Sequence, residues 1–264
     1  MEARTPFKVD AAISKLVEDN AECKGLLGYV KLDLASLKQT AAAADEVLAI
    51  EQRLDGLINN AGIMAVPYEL TEDGVERQFQ VNHLSHLLFT VKLLPMLEKT
   101  GEANGHPAQV INLSSFAHNF ISVYSAASPS YMDLATVNRR FEPTGFIRYS
   151  QAKLAAILFL REFNKRVCPN VRSLTVHPGF LKSDLYKSWY LKPFVGIFIP
   201  LERGAWLSIY AALDPEVEEK DLWGSDLVPF CQVQKTTHAG EDPALAKQCW
   251  DLSEQLVNQK VGEI

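Results

Sequence analysis

Tyr149 and Lys153 stand four residues apart in the run RYSQAKLAAILFLREF. On a helix, residues i and i+4 share a face, so the two side chains point to the same place. A phenol with a pKa of about 10 is a poor base at neutral pH, but a nearby ammonium favours the phenolate and lowers that value. The pair then serves as a general acid/base. Two ordinary surface residues at this spacing are the alternative, and the rest of the chain has to decide between them. His83 and His86 form an HxxH pair, yet no clustered Cys, Asp or Glu completes a metal site, so structural or surface roles are expected and no metal.

At 264 residues, 47% hydrophobic and 22% charged, the chain is long enough for one large domain, residues 1–264, with a buried core. A formal charge of -6 gives no basic field for nucleic acid or anionic lipid. The four cysteines, Cys23, Cys168, Cys231 and Cys249, are widely spread with no CxxC, which fits reduced thiols inside a cell. No secretory signal opens the chain, and no apolar run reaches the roughly 18 residues of a membrane span. A soluble cytoplasmic protein is expected. The most apolar run, WYLKPFVGIFIPL (189–201), is interrupted by Lys192, Pro193, Gly196 and Pro200, so it reads as a greasy lid or a shallow membrane contact.

Strand-like runs alternate with helix-length amphipathic ones. LLGYVKL (26–32), LDGLINN (54–60), AQVINLS (108–114), VRSLTVHPG (171–179) and a short run at 226–230 read as strands. Residues 36–52 read as a helix capped by Ser36, followed by helices over 74–98, 149–167, 204–213 and 243–257. Strands followed by helices at this spacing indicate βαβ units, hence an α/β Rossmann-type, doubly wound parallel sheet covered on both faces. In such a sheet ligands bind at the carboxyl ends of the strands. Four short stretches fall on that rim: Asp33, NNAG (59–62), Ser114 with Ser115, and HPG (177–179).

NNAG, QVNHLSH, INLSS, YSQAK and HPGFLKS, in that order and covering nearly the whole chain, resemble the short-chain dehydrogenase/reductase superfamily. The closest flavour is its retinol-dehydrogenase-like and WW-domain-oxidoreductase-like branch, which the tail AKQCWDLSEQLV also resembles. The resemblance implies an NADP-preferring oxidoreductase acting on a carbonyl or alcohol of a lipophilic small molecule, in a secondary-metabolic setting. It implies that Tyr149 passes the proton to or from the substrate oxygen and that Lys153 also holds the nicotinamide ribose. Ser115 would hydrogen-bond the substrate oxygen, with Ser114 as the alternative, and Asn82 would keep a water in the proton relay. The cofactor-binding set carried over is Arg4 on the 2′-phosphate, Asp33 on the adenine, Asn60, Tyr149, Lys153, and Ser183 on the nicotinamide amide. Ordinary readings stand beside these: a helix-initiating turn for Asp33, a sheet-stabilising turn for NNAG, a backbone bond for Asn82. Tyr186, Trp189, Phe194 and Phe198 either line a substrate pocket or pack it shut. A homo-oligomer is compatible with the family, and nucleic acid is not an expected partner.

The family's cofactor cradle is a strand followed by TGxxxGxG and a helix, whose glycines and N-terminus receive the pyrophosphate. Residues 1–264 hold no such run: their glycines never fall as GxG, and Gly25 and Gly28 precede a strand instead of following one. The opening MEARTPFKVDAAISKL resembles the end of the family's second strand running into the next helix. The first strand, the glycine loop and most of the second strand, about 35 to 40 residues, are therefore expected to be absent. Without them LLGYVKL would lie roughly 14 Å from LDGLINN, three times an inter-strand spacing, leaving LDGLINN as an exposed apolar edge. Weak or no dinucleotide binding is the corresponding expectation for residues 1–264. Cofactor-independent lyase, isomerase or cyclase chemistry at Tyr149 and Ser115, and a noncatalytic role, are the alternatives to the redox reading.

Overall fold

A computed structural model describes residues 2–3, 6–125, 132–141, 145–182 and 198–264, so that Arg4, Ser183, Tyr186, Trp189 and Phe194 lie outside the described residues. The chain opens with β1 (Glu2–Ala3), α1 (Pro6–Asp19) and β2 (Val30–Lys31), and Glu2 pairs in parallel with Val30. Next comes α2 (Leu37–Ile50), whose first turn is capped by the Ser36 hydroxyl accepting from the Gln39 amide at 3.4 Å. After β3 (Gly56–Asn59) the chain forms α3 (Arg77–Phe79), a π-helical turn over Gln80–Leu84, and α4 (Ser85–Asn104). Then follow β4 (Ala108–Leu113), α5 (His118–Ser125), α6 (Leu134–Val137), α7 (Phe146–Arg166) and β5 (Val171–Val176). The chain ends with α8 (Leu201–Leu213), α9 (Glu216–Glu219), β6 (Asp226–Val228), β7 (Gln232–Gln234), α10 (His238–Glu241) and α11 (Pro243–Val261).

The main sheet has the order β3-β4-β5-β6-β7, with β3 to β6 parallel and β7 antiparallel. Period-two alternation sends the strands' apolar side chains to opposite faces. On one face Val110 and Val171 pack beneath Leu87, Leu154, Leu158 and Phe163, with Cys249 and Trp250 of α11 behind them. On the other, Ile111, Leu174, Val176 and Leu227 pack against Leu207 and Ala211 of α8. Helices thus cover both faces, as in a doubly wound Rossmann-like sheet.

Several boundaries differ from the sequence expectation. The strand expected over 26–32 is a ladder only at Val30 and Lys31. The helix expected to stop near residue 98 runs on to Asn104 and ends on Gly105 at φ 70°. Within its last turn a Cβ on Gly101 would sit 2.0 Å from the Asn170 carbonyl, so only glycine lets the helix end lie against the turn before β5. Helix α7 starts at Phe146, ahead of Tyr149, because Gly145 takes φ 66° and lets the chain turn in beside Val66. The hairpin to β7, turned by Phe230 and Cys231 at positive φ, is an addition to the expected elements.

Among the described residues β2 and β3 do not pair: β2 bonds only β1, and β3 bonds only β4. A cleft of about 780 Å³ separates them, walled by Tyr29 and Val30 on one side and Leu57 and Ile58 on the other, with Val47, Phe89 and Leu93 also lining it. What holds the smaller sheet in place is a shared apolar cluster of Val30, Leu32 and Leu34 with Ala44, Leu57, Phe89 and Leu93. An unpaired strand edge carrying a part-exposed isoleucine is a template for association between molecules. Ile58 is 41% exposed. The substitution Ile58→Lys should reduce concentration-dependent light scattering while changing stability by less than about 1 kcal/mol. Scattering that stays unchanged would mean that another surface drives association.

Candidate active site

The site assembles at the carboxyl rim of β3, β4 and β5. Tyr149 and Lys153 lie one turn apart on α7 and are only 5% and 4% exposed, which disposes of the surface-pair alternative. The Lys153 ammonium donates to the Leu113 carbonyl at the end of β4 at 2.7 Å, and sits 5.7 Å from the centre of the Tyr149 ring. Burial pushes Lys153 down to about 8. Two buried histidines face the same charge. His86 is held at about 3, first by burial and then by Lys153, and His177 at about 4, by burial, His118 and Lys153. Both are neutral rings at physiological pH, so neither adds a second cation beside the ammonium.

The register of α7 is set by the residue before the tyrosine. Arg148 Nε donates to Glu76 Oε1 at 2.9 Å and Nη2 to the Val66 carbonyl at 2.8 Å, while Nη1 donates to the Arg140 carbonyl. Glu76 Oε2 accepts from the Gln78 and Phe79 amides at 2.8 and 3.0 Å, capping the helix that leads to Asn82. Gln78 joins both ends by donating to the Gly145 carbonyl at 3.0 Å and accepting from the Ala65 amide at 2.7 Å. Burial pushes the Glu76 carboxyl up, against the opposing pull of the Phe79 and Gln78 amides and of Arg148.

Ser114 is buried, its hydroxyl turned to the Lys153 backbone carbonyl at 3.5 Å. Ser115 is only partly buried, and its Oγ accepts from the Ala117 amide at 3.2 Å. Ala117 packs with Met64 against Tyr149, which links the Ser115 turn to the phenol. Asn82, in the π-helical turn, makes two bonds to one residue: Oδ1 accepts from the Ile63 amide and Nδ2 donates to the Ile63 carbonyl, both at 2.8 Å. The side chain therefore anchors the NNAG turn. A Cβ on Gly62 would come within 3.1 Å of Asn82 Oδ1 and 3.8 Å of Lys153 Nζ, so the glycine lets backbone, amide and ammonium converge.

Asn59 is buried and structural: its Nδ2 donates to Thr90 Oγ1 at 3.0 Å and to Asn112 Oδ1 at 2.7 Å, and Asn112 continues to Ser173 at 3.1 Å. Asn60, next to it, is exposed on the rim. The Asp33 carboxylate accepts from the Ala35 amide at 3.1 Å, which makes it the turn leading into α2. Arg4 and Ser183, also expected here, lie outside the described residues. Sequence reasoning missed the clamp of Glu76, Gln78 and Arg148, and most of the aromatic rim. Phe116 meets Phe120, His177 and Phe180 with ring centres 5.9, 6.4 and 6.3 Å apart. Phe146 bridges Phe120 to Tyr149 at 5.4 and 6.1 Å, and Phe180 reaches Phe198 at 5.8 Å. The signal for it lay in SSFAHNF and HPGFL, where rings follow two rim-facing strand ends. Among the described residues no group of three or more His, Cys, Asp or Glu is arranged to hold a metal.

Removing one member of a fully buried ion pair strands the other charge. Arg148→Met should lower unfolding free energy in urea by about 3–5 kcal/mol, and adding Glu76→Gln should recover part of that loss. Lys153 supplies a pH test. Its folded-state value of about 8 lies below the ordinary 10.5, so between those values the unfolded chain binds more protons and stability rises with pH. The difference in Tm between wild type and Lys153→Met should therefore shift in favour of the wild type as pH climbs through that window. A difference that stays flat would mean an ordinary, solvated lysine.

The family model described as short chain dehydrogenase matches residues 3–140. Short-chain dehydrogenase/reductase drtF of Aspergillus calidoustus is 33% identical over 279 aligned positions, covering 98% of this chain and 85% of that protein. Retinol dehydrogenase 14 of Mus musculus is 35% identical over 248 positions, covering 88% of this chain and 68% of that one. Among solved structures, NADPH-bound carbonyl reductase from chicken fatty liver aligns over 89% of this chain and 86% of that one, with a TM-score of 0.58 at 22% identity, a likeness of fold. The ordered motifs, the Rossmann-like sheet and these matches establish that the chain belongs to the short-chain dehydrogenase/reductase family, on its retinol-dehydrogenase-like branch.

Proposed function

We propose that the protein is an NADP-preferring oxidoreductase that interconverts a carbonyl and an alcohol on a lipophilic small molecule. The observation that carries this reading is the buried Lys153 ammonium held against Leu113 beside the Tyr149 ring. A desolvated positive charge at that spot favours the phenolate, so Tyr149 gives and retakes a proton at the substrate oxygen at neutral pH. Ser115 donates its hydroxyl to the same oxygen as negative charge develops there. Asn82 keeps the NNAG turn close to the ammonium through Ile63, and the relay water implied by the family is assigned to its neighbourhood. Phe116, Phe120, Phe180 and Phe198 support an apolar substrate, because their rings touch one another in series beside the strand ends that carry Ser115 and His177.

The family's nicotinamide dinucleotide supplies the hydride when bound. The residues here suit its ribose and nicotinamide end: Lys153 for the hydroxyls, Gly62 for close backbone approach, and Asn60 exposed on the rim. Arg4 is the residue assigned to the 2′-phosphate, Asp33 to the adenine and Ser183 to the nicotinamide amide. Residues 1–264 hold no TGxxxGxG run, so their grip on the pyrophosphate is assigned as weak. A cytosolic secondary-metabolic role is part of the same reading; among the described residues no helix is long and apolar enough to cross a membrane.

Calorimetry with NADPH and NADH, followed by NADPH oxidation with a panel of long-chain aldehydes and ketones, tests this reading. NADPH should bind more tightly than NADH, and Tyr149→Phe should lower kcat by about 10²–10⁴-fold with little change in dinucleotide affinity. Substrate conversion without any dinucleotide, abolished by Tyr149→Phe, would replace the redox reading with cofactor-independent proton-transfer chemistry.

A further inference from the structure

Three helical segments meet at His83. The residue stands in the π-helical turn Gln80–Leu84, next to Asn82, and is buried. Its ring lies edge-on to Phe79 of α3 and to Phe159 of α7, with ring centres 5.0 and 6.2 Å apart. Phe159 in turn stacks on Trp250 of α11 at 5.8 Å. At the tip of the imidazole, Nε2 lies 2.9 Å from Ser253 Oγ and 3.7 Å from Cys249 Sγ, both on α11 and both buried. The Ser253 contact joins residues 170 positions apart in the chain.

The hydrogen bonds decide which ring nitrogen carries the proton. Ser253 Oγ lies 2.7 Å from the Cys249 carbonyl, one turn back on α11, and a carbonyl only accepts. The single hydroxyl proton therefore points to that carbonyl, and Oγ meets the imidazole with a lone pair. Nε2 must donate, so His83 is the neutral Nε2–H ring. Burial agrees with the neutral form: desolvation first, and then His86, hold His83 at about 3. A donor and an acceptor that face each other away from water are costly to part, because neither then finds another partner. The turn that carries His83 is wide, the Ser85 amide donating to the Gln80 carbonyl five residues back. In it, adjacent side chains serve two directions. Asn82 holds Ile63, next after Gly62, through two bonds at 2.8 Å, and His83 holds α11.

We propose that the bond from His83 to Ser253 locks the π-helical turn in register, making both residues positioning residues for Asn82 and, through Ile63, for the Gly62 backbone beside Lys153. The part given to Asn82 in turnover rests on the function proposed above, whereas the lock itself does not. The order of support is continuous: Ser253 holds His83, the next residue Asn82 holds Ile63, and Ile63 follows the glycine whose Cβ would come within 3.8 Å of Lys153 Nζ. A π-helical turn is rare in isolation, and this one is gripped from both sides. The C-terminal helix α11 is thereby part of the frame of the active site.

The test needs neither cofactor nor turnover. Nitrogen-15 NMR of the His83 ring at neutral pH gives the tautomer. Amide exchange is measured at Ile63, which donates to Asn82, and at Ser114, which donates to the Val176 carbonyl on the same rim but outside the lock. Nε2 should be the protonated nitrogen. His83→Leu removes the donor and should speed Ile63 exchange at least about tenfold relative to Ser114. His83→Gln, whose amide can still donate to Ser253, should stay within about threefold of wild type. A ring protonated at Nδ1 overturns the lock. Equal acceleration at Ile63 and Ser114 in His83→Leu, or none at Ile63, overturns the positioning role, as does exchange in His83→Gln as fast as in His83→Leu. Should His83→Leu not fold, Ser253→Ala is measured in its place, with the same preferential acceleration of Ile63 expected. A protein that shows the lock but reduces no carbonyl refutes only the function proposed above.

Discussion

The buried pair of Glu76 and Arg148 is the contact on which the site depends. A charge taken out of water is costly, and it persists here because each group is paired with the other and hydrogen-bonded to backbone as well. Arg148 spends its donors on Glu76, on the Val66 carbonyl and on the Arg140 carbonyl, and Glu76 turns its second oxygen to the amides of Gln78 and Phe79. One interaction therefore fixes two helix starts, that of α3 leading to Asn82 and that of α7 leading to Tyr149 and Lys153. Glycine at 145 is part of the same device. A Cβ there would lie 2.7 Å from the guanidinium and 2.9 Å from the Val66 carbonyl.

With the two helices fixed, the strand ends complete the arrangement by hydrogen bonds between side chains that have no access to water. Asn59, Asn112 and Ser173 cross three strands in one polar line, and Asn164 of α7 closes it by exchanging two bonds with the Ser173 backbone at 2.9 Å. A line of this kind sets the relative height of the strands as well as their order, since a slip of one residue would turn the amides into apolar surroundings. The carbonyl of Leu113, next in sequence to Asn112, is thereby presented to Lys153. Burial then works on chemistry instead of packing, by lowering the ammonium and keeping His86 and His177 uncharged.

The sheet carries an unusual feature on the opposite side of the site. β1 and β2 form a pair of their own, and the cleft between β2 and β3 leaves backbone edges of two parallel ladders facing one space. The smaller pair keeps its place through side chains: Leu32 and Leu34 continue the chain past β2 into the cluster shared with α2 and α4, and Ser85 donates to the Leu34 carbonyl at 2.8 Å. Helix packing thus maintains a βαβ geometry across a gap that, among the described residues, no inter-strand hydrogen bond spans. The Tyr149 and Lys153 end of the site is independent of that gap, being built from α7, β4 and the NNAG turn.

Much of this was legible from residue order alone. Apolar periodicity identified α7, β4 and β5, the four-residue spacing put Tyr149 and Lys153 on one helical face, Ser36 marked the start of α2, and the ordered motifs named the family. These are local signals: they depend on residues a few positions apart, whose geometry helix and strand repeats dictate. The separation of residues 26–32 from 54–60 came instead from the strand order that the family resemblance implies, and the structure leaves β2 and β3 unpaired among the described residues. The tertiary structure alone decided which polar groups would meet. Glu76 and Arg148 are separated by 72 residues, and nothing around either predicts the other. Phe116, Phe146 and Phe180 looked like scattered aromatics until strand ends and a helix start brought them to one rim. Such partners are chosen by closure of the sheet and by the requirement that a polar group leaving water must find another, a condition that exists only once the chain has folded.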